Sequence, residues 1–127
     1  NPNVLVVGVD PSGSMLKPYK ENGNLIESKP FFVEGIGSNF IPGIIDFNLI
    51  DKIVETNDKE AFEAAFELSR KEGIFCGGSS GAILSVAKKI SKDIGEGKRV
   101  VCILPDSGNR YLTKMYSNEW LEENNLK

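Results

Sequence analysis

Residues 74–81 read Ile74-Phe75-Cys76-Gly77-Gly78-Ser79-Ser80-Gly81, a short apolar run that breaks into glycines and serines. A helical pattern follows at once, with Ala82, Ile83, Val86, Ala87, Ile90 and Ile94 recurring at about 3.6 residues per turn. The combination predicts a buried strand that delivers two hydroxyls to the first turn of a helix. Backbone N–H groups left free at such a turn favour a polar or anionic ligand group, and glycines let that group come close. The turn alone is a weak signal, and its local alternative is a serine that simply caps the helix.

Upstream, residues 4–9 (VLVVGV) form a continuous apolar, β-branched run, expected of a strand buried on both faces. Asp10-Pro11-Ser12-Gly13-Ser14 is turn chemistry, and residues 15–30, with Pro18, Gly23 and Pro30, read as an irregular surface excursion. Phe31-Phe32-Val33-Glu34 is a short extended segment ending in Gly35-Ile36-Gly37. The apolar patch of Ile44, Ile45, Phe47, Leu49 and Ile50 fits either core or interface, and Phe40, Ile44 and Phe47 fit core or dimer surface better than substrate contact. Residues 52–55 (KIVE) read as a second strand. A helix then starts at a cap supplied by Asn57 or Asp58, with Glu60 placed for a capping box. Phe62, Ala65, Phe66 and Ser69 share one face of it, and Gly73 closes it.

After the Gly/Ser turn, the helix runs from about 80 to 94 and stops at Gly95 and Gly97. Residues 99–104 (RVVCIL) read as a buried strand, and 105–109 as a loop beyond its carboxyl end. The tail, 110–124, is expected to be helical, with Leu112, Met115, Trp120 and Leu121 as its apolar contacts. Alternating strands and helices predict a three-layer α/β fold with a mostly parallel sheet. Ligands collect at the carboxyl ends of strands in such sheets, where loops 35–37, 77–81 and 105–109 would converge.

Composition narrows the function. Fifteen basic and 18 acidic residues leave a net charge of −3, which argues against a nucleic-acid surface. The densest basic cluster, Lys88, Lys89, Lys92, Lys98 and Arg99, reads as the polar face and end of a helix. No apolar run approaches the ~18–20 residues of a membrane span, and no secretory signal is recognisable, so a cytoplasmic protein is expected. Cys76 and Cys102 fit buried free thiols better than a disulfide. With no histidine, the chain cannot build a Ser-His-Asp or Cys-His triad, and it offers no metal site of recognisable spacing.

Taken together, VVGVDPSGS at 6–14, VEGIGSNFIP at 33–42, GIFCGGSSGA at 73–82 and ILPDSGNRYLTKMYSNEWL at 103–121 resemble the C-terminal part of the fold-type II pyridoxal-phosphate enzymes. The resemblance is to the cystathionine β-synthase and cysteine synthase family. Glu34 and the VDPSGS opening tilt it toward the cystathionine β-synthases, whereas Ser38 stands where animal members commonly carry Tyr.

The resemblance implies pyridoxal 5'-phosphate as cofactor, with Ser79 facing the pyridine nitrogen. Gly35, Ile36 and Gly37 would form a wall beside cofactor and substrate, while Pro105 and Asp106, with Ser107, would close the pocket near the ring. Glu34 would sense the second substrate or else serve as a surface carboxylate or ion-pair partner. The reaction implied is β-replacement, in which serine or an acylated serine exchanges its β-substituent for homocysteine or sulfide. A non-catalytic binding or assembly module of the same fold is the alternative. A Rossmann nucleotide-binding half is disfavoured, because no Gly-x-Gly-x-x-Gly turn follows the first strand.

The Schiff-base lysine and the phosphate-binding loop of the family have no match in 1–127. The opening Asn1-Pro2-Asn3 lacks an initiator Met, so the chain is expected to be part of a longer catalytic core, inactive by itself and homodimeric when intact.

Overall fold

The structure is a computed structural model that describes residues 3–127; Asn1 and Pro2, which the sequence places before the first strand, lie outside the described residues. Two parallel strands, β1 (Val7–Pro11) and β2 (Lys52–Thr56), pair in register from Val7 opposite Lys52 to Pro11 opposite Thr56. Helices α1 (Leu16–Asn22), α2 (Asp58–Glu72), α3 (Gly78–Ile94) and α4 (Asn118–Glu123) complete an α/β arrangement. Short 3-10 turns occupy Phe47–Leu49 and Gly108–Tyr111.

Helix α2 follows its sequence signals closely. Asn57 caps it, accepting the Glu60 N–H at 2.9 Å, and Gly73 ends it at φ 70°. Its apolar face buries Ala61, Phe62, Ala65 and Leu68 against Ala82 of α3 and against Val33, Cys76, Tyr111, Met115 and Leu121. The two helices meet where Gly81 faces Ala61 and Ala65. A Cβ on Gly81 would sit 2.0 Å from the Ala61 carbonyl oxygen, so only glycine permits this approach. Behind the contact, Thr56 Oγ1 and Ser85 Oγ hydrogen-bond at 2.8 Å, tying the end of β2 to α3. At the surface, Lys89 pairs with Glu60 at 2.7 Å and Lys88 with Glu67 at 2.5 Å. These exposed pairs set the register of the two helices more than they stabilise them.

Several expectations fail for one reason: a strand requires a partner. The run at 4–9 forms strand only from Val7, while Val4, Leu5 and Val6 are exposed. Residues 74–76 contribute one antiparallel bridge, Cys76 to Ser107, and leave Ile74 and Phe75 largely exposed. Residues 99–104 pair with nothing among the described residues. Val101 and Ile103 lie at 81 % and 77 % exposure, with Cys102 and Leu104 half-buried between them. The chain keeps a strand's two-residue alternation there without the ladder. Residues 31–34 lack a ladder too, since the Phe32 and Val33 N–H groups both go to Asp58 Oδ1 at 2.8 Å.

Other differences are local. The excursion at 15–30 contains α1, which tolerates Pro18 because a first-turn N–H has no helical acceptor. The tail is helical only over Asn118–Glu123; Met115 and Leu121 are buried, but Leu112 is 56 % exposed. Phe40 and Ile44 lie on the surface, and Phe47 packs on Tyr19 with ring centroids 5.4 Å apart. Both cysteines are free thiols, Cys76 buried and Cys102 partly so. Among the described residues no helix is long and apolar enough to cross a membrane.

At the end of β1, Asp10 is buried and its Oδ1 has no hydrogen-bond partner, while Oδ2 accepts the Lys17 N–H at 3.0 Å. Burial pushes its carboxyl above the ordinary range, Ser14, the Lys17 amide and the Lys17 charge pull it down, and the charge of Glu55 adds to the rise. A carboxyl raised in the folded state binds more protons there than when unfolded, so its contribution to stability falls as pH climbs from the unfolded value through the folded one. The difference in melting temperature between the Asp10→Asn variant and the parent should therefore shift in favour of the variant as pH rises across that window. A pH-independent difference would contradict this. Separately, Gly81→Ala should cost about 1–3 kcal/mol by forcing α2 and α3 apart, read by urea unfolding.

Candidate active site

The Gly/Ser turn starts its helix two residues earlier than the sequence suggests. Gly77 occupies the cap position in extended conformation, and Ser79 and Ser80 fall inside the first turn of α3. Ser79 therefore does not cap the helix. It is 1 % exposed, and its Oγ has no hydrogen-bond partner. A buried hydroxyl in this state costs free energy unless something satisfies it. The neighbouring Ser80 faces the Cys76 thiol, which burial and the charge of Asp106 push above its ordinary range.

Opposite Ser79 stands Gly35. At φ 85° it adopts the left-handed conformation, and among the described residues other than its chain neighbours the only atom within 4 Å of where its Cβ would lie is Ser79 Oγ, at 3.9 Å. The Gly35 side is otherwise open, and residues 35–38 line an open cleft of about 720 Å³. Gly37, at φ 75°, is packed so tightly on Pro11 that a Cβ would lie 2.4 Å from Pro11 Cγ. Ile36 packs, half-buried, against the core. The Ser38 hydroxyl accepts the Phe40 N–H at 3.1 Å.

The third loop closes on the same turn. Gly77 N–H donates to the Asp106 carbonyl and Gly108 N–H to the Phe75 carbonyl, each at 3.2 Å. Ser107 caps the 3-10 turn that follows, accepting the Asn109 N–H. Tyr111 O–H donates to Asp106 Oδ2 at 2.5 Å, leaving Oδ1 buried and without a partner. The carboxylate and burial push the Tyr111 phenol up to about 12. A Cβ on Gly77 would lie 2.2 Å from Asp106 Oδ1, so this glycine is what admits the carboxylate. Pro105 is exposed at the edge. Glu34 is half-exposed and pairs with Lys114. Its ion-pair reading is thus realised, and Lys114 and Tyr111 are the residues that sequence patterning missed.

The arrangement fits one end of pyridoxal phosphate. An unpartnered buried hydroxyl beside an open glycine wall suits a ring nitrogen. Among the described residues no lysine is buried, and Lys17, Lys71, Lys88, Lys89, Lys114 and Lys127 are ion-paired. No group of three or more acidic or cysteine side chains among the described residues is placed to hold a metal ion.

Comparison with known proteins places the chain in a family. The family described as "Pyridoxal-phosphate dependent enzyme" matches residues 1–106. Cystathionine beta-synthase of Apis mellifera is 51% identical over 122 residues, covering 96% of this chain and 24% of that protein. Cysteine synthase A of Salmonella typhi is 38% identical over 123 residues, covering 95% of this chain and 38% of that protein. The crystal structure of an O-acetylserine dependent cystathionine beta-synthase from Helicobacter pylori superposes with a TM-score of 0.76 at 39% identity, over 89% of this chain and 35% of that one. The chain thus spans well under half the length of these relatives. It belongs to the fold-type II pyridoxal-phosphate enzymes, in the family that holds the cystathionine β-synthases and cysteine synthases.

Proposed function

We propose that residues 1–127 supply the ring-binding part of a pyridoxal-phosphate-dependent β-replacement site of cystathionine β-synthase type. Serine, or an acylated serine, loses its β-substituent, and homocysteine takes its place. The observation that carries the proposal is the buried, unpartnered Ser79 Oγ facing Gly35. The cofactor, when bound, spreads the negative charge that develops at the substrate α-carbon.

The chain's own residues set how strongly it does so. Ser79 offers the ring nitrogen a neutral O–H donor, which does not hold a proton on that nitrogen as a carboxylate would. The positive end of α3, whose first turn holds Ser79, disfavours a protonated nitrogen further. An unprotonated ring is the weaker electron sink, which favours loss of a β-substituent over reprotonation and transamination. Gly35 lets its backbone stand against cofactor and substrate without a Cβ between them, Gly37 lets the wall lie against Pro11, and Asp106, fixed by Tyr111, closes the opposite side. The Glu34–Lys114 pair lies at the rim, where it would meet the polar end of the second substrate.

On this reading the Schiff-base lysine and the phosphate loop come from outside these residues, the intact enzyme is a cytoplasmic homodimer, and the 127-residue chain is inactive alone. The 51% identity to the Apis mellifera protein favours homocysteine as nucleophile. The alternative is cysteine synthase chemistry, with sulfide attacking an O-acetylserine-derived carbon; the 38% identity to Salmonella typhi cysteine synthase A supports it. Competition between homocysteine and sulfide in the intact enzyme separates the two.

Two tests follow. Pyridoxal phosphate added to the isolated chain should give neither Schiff-base absorbance nor β-replacement, and turnover would refute the division of labour. In the intact enzyme, Ser79→Asp should alter cofactor absorbance and suppress β-replacement; unchanged turnover would refute the role of Ser79. Tyr111→Phe probes the support of the site. Leaving the Asp106 carboxylate with no partner at either oxygen should cost about 1–3 kcal/mol in urea unfolding.

A further inference from the structure

In the Gly35-Ile36-Gly37 wall the one side chain, Ile36, packs half-buried against the core, and Gly37 lies against Pro11. The backbone at its entry is held by Asp58, which accepts the Phe32 and Val33 N–H groups at 2.8 Å each. At its exit one side chain, a hydroxyl, holds Ser38. Ser14 Oγ accepts the Ser38 N–H at 2.9 Å and donates to the Ser38 carbonyl at 3.2 Å, while also accepting the Leu16 N–H at 3.3 Å. A hydroxyl has one donor and two acceptor sites, so the two N–H groups fill its acceptor sites, while the Ser38 carbonyl and the Asp10 carboxyl compete for its one proton. The Met15 N–H adds a second bond to the same Ser38 carbonyl at 3.0 Å. Ser14 is 1 % exposed, and it lies 24 residues from Ser38 in sequence.

The surroundings fix Ser14 in turn. Its N–H donates to the Pro11 carbonyl at 3.0 Å, closing a turn at the end of β1. Gly13, at φ 107°, lets the Lys29 backbone come so close that a Cβ would lie 2.6 Å from the Lys29 carbonyl oxygen, and the Lys29 N–H donates to the Gly13 carbonyl at 2.9 Å. Pro11 is also the surface against which Gly37 lies. The turn at 11–14 therefore grips both the middle and the exit of the wall, and within that turn only Ser14 does so by hydrogen bonds from a side chain.

We infer that Ser14 is a positioning residue for the active site: its hydroxyl clasps both backbone groups of Ser38 and so sets the distance between the Gly35 wall and Ser79. It touches neither cofactor nor substrate and acts through residues 35–38. The functional part of this inference rests on the proposed cofactor site at Ser79, whereas the clasp itself does not.

The test compares Ser14→Ala, Ser14→Thr and a core control, Leu68→Ala, in the intact holoenzyme. Hydrogen exchange is read at residues 35–40, and absorbance and emission are read from the bound cofactor. Ser14→Ala should speed exchange at Ser38 and its neighbours by roughly 10-fold, leave the amides in the middle of α2 and α3 protected, and shift the cofactor spectrum. Ser14→Thr, which keeps the hydroxyl, should restore both signals to within about two-fold of the parent, and Leu68→Ala should lower the melting temperature without moving either.

Normal exchange at residues 35–40 in Ser14→Ala would overturn the clasp. Faster exchange with an unchanged spectrum would overturn its bearing on the site, provided that Ser79→Ala does shift the spectrum. If Ser79→Ala also leaves the spectrum unchanged, the cofactor reading of Ser79 fails and the functional half of the inference fails with it. Should Ser14→Ala lose the protection of α2 and α3, Ser14→Thr decides alone: failure to hold residues 35–40 in a folded Thr variant overturns the proposal.

Discussion

The approach of α2 to α3 at Gly81 is the constraint on which the rest depends. A Cβ at that position would stand inside the van der Waals shell of the Ala61 carbonyl and the Ala65 side chain. With glycine there, the first turn of α3 sinks against α2, and Gly77, Gly78, Ser79 and Ser80 become buried. The same contact seats Gly78 on the Phe62 ring. Burial then leaves the hydroxyls of Ser79 and Ser80 with no hydrogen-bond partner among the described residues. Site chemistry here is a consequence of helix packing.

Legibility in the sequence followed the range of the interactions. Helix α2 was readable because its cap, its apolar face and its closing glycine are all local. The Gly/Ser turn was readable for the same reason, though its boundary was not: Gly77 takes the cap without any side-chain bond, so the serines slide into the helix. The runs at 74–76 and 99–104 have strand composition, yet composition cannot supply a neighbour to pair with. Helix α1 was obscured by Pro18 and Gly23, residues that read as breakers but sit in its first turn and at its C-cap, where each is tolerated. Tyr111 and Lys114 carried no local signal, since their partners are a loop carboxylate and a glutamate 80 residues away.

The electrostatics divide along the same line between interior and rim. Charged pairs such as Glu60–Lys89 and Glu67–Lys88 stay at the surface, where water screens them and they cost little. The interior holds neutral hydroxyls (Ser14, Thr56, Ser79, Ser80, Ser85) and one carboxylate, Asp10, whose carboxyl is pushed upward by burial. The Gly/Ser turn and the loop closing on it bring together a neutral serine, Ser79, and a carboxylate engaged by a phenol, Asp106 with Tyr111, and among the described residues no lysine or arginine is buried.

The site also owes little to the sheet. Among the described residues the paired strands take five residues each, and none of Ser79, Gly35 or Asp106 is among them. What holds those three together is a set of loop contacts: Gly77 N–H on the Asp106 carbonyl, Asp58 at the entry of the glycine wall and Ser14 at its exit. Each bond uses a backbone group on at least one side, and backbone groups are present whatever the side chains. Glycine enters at each point of closest approach, at Gly35, Gly37 and Gly77, because a Cβ would obstruct either the carboxylate, the proline or the ligand space. A two-stranded segment can therefore hold Ser79, Gly35 and Asp106 in a defined geometry even where its outer apolar segments remain unpaired.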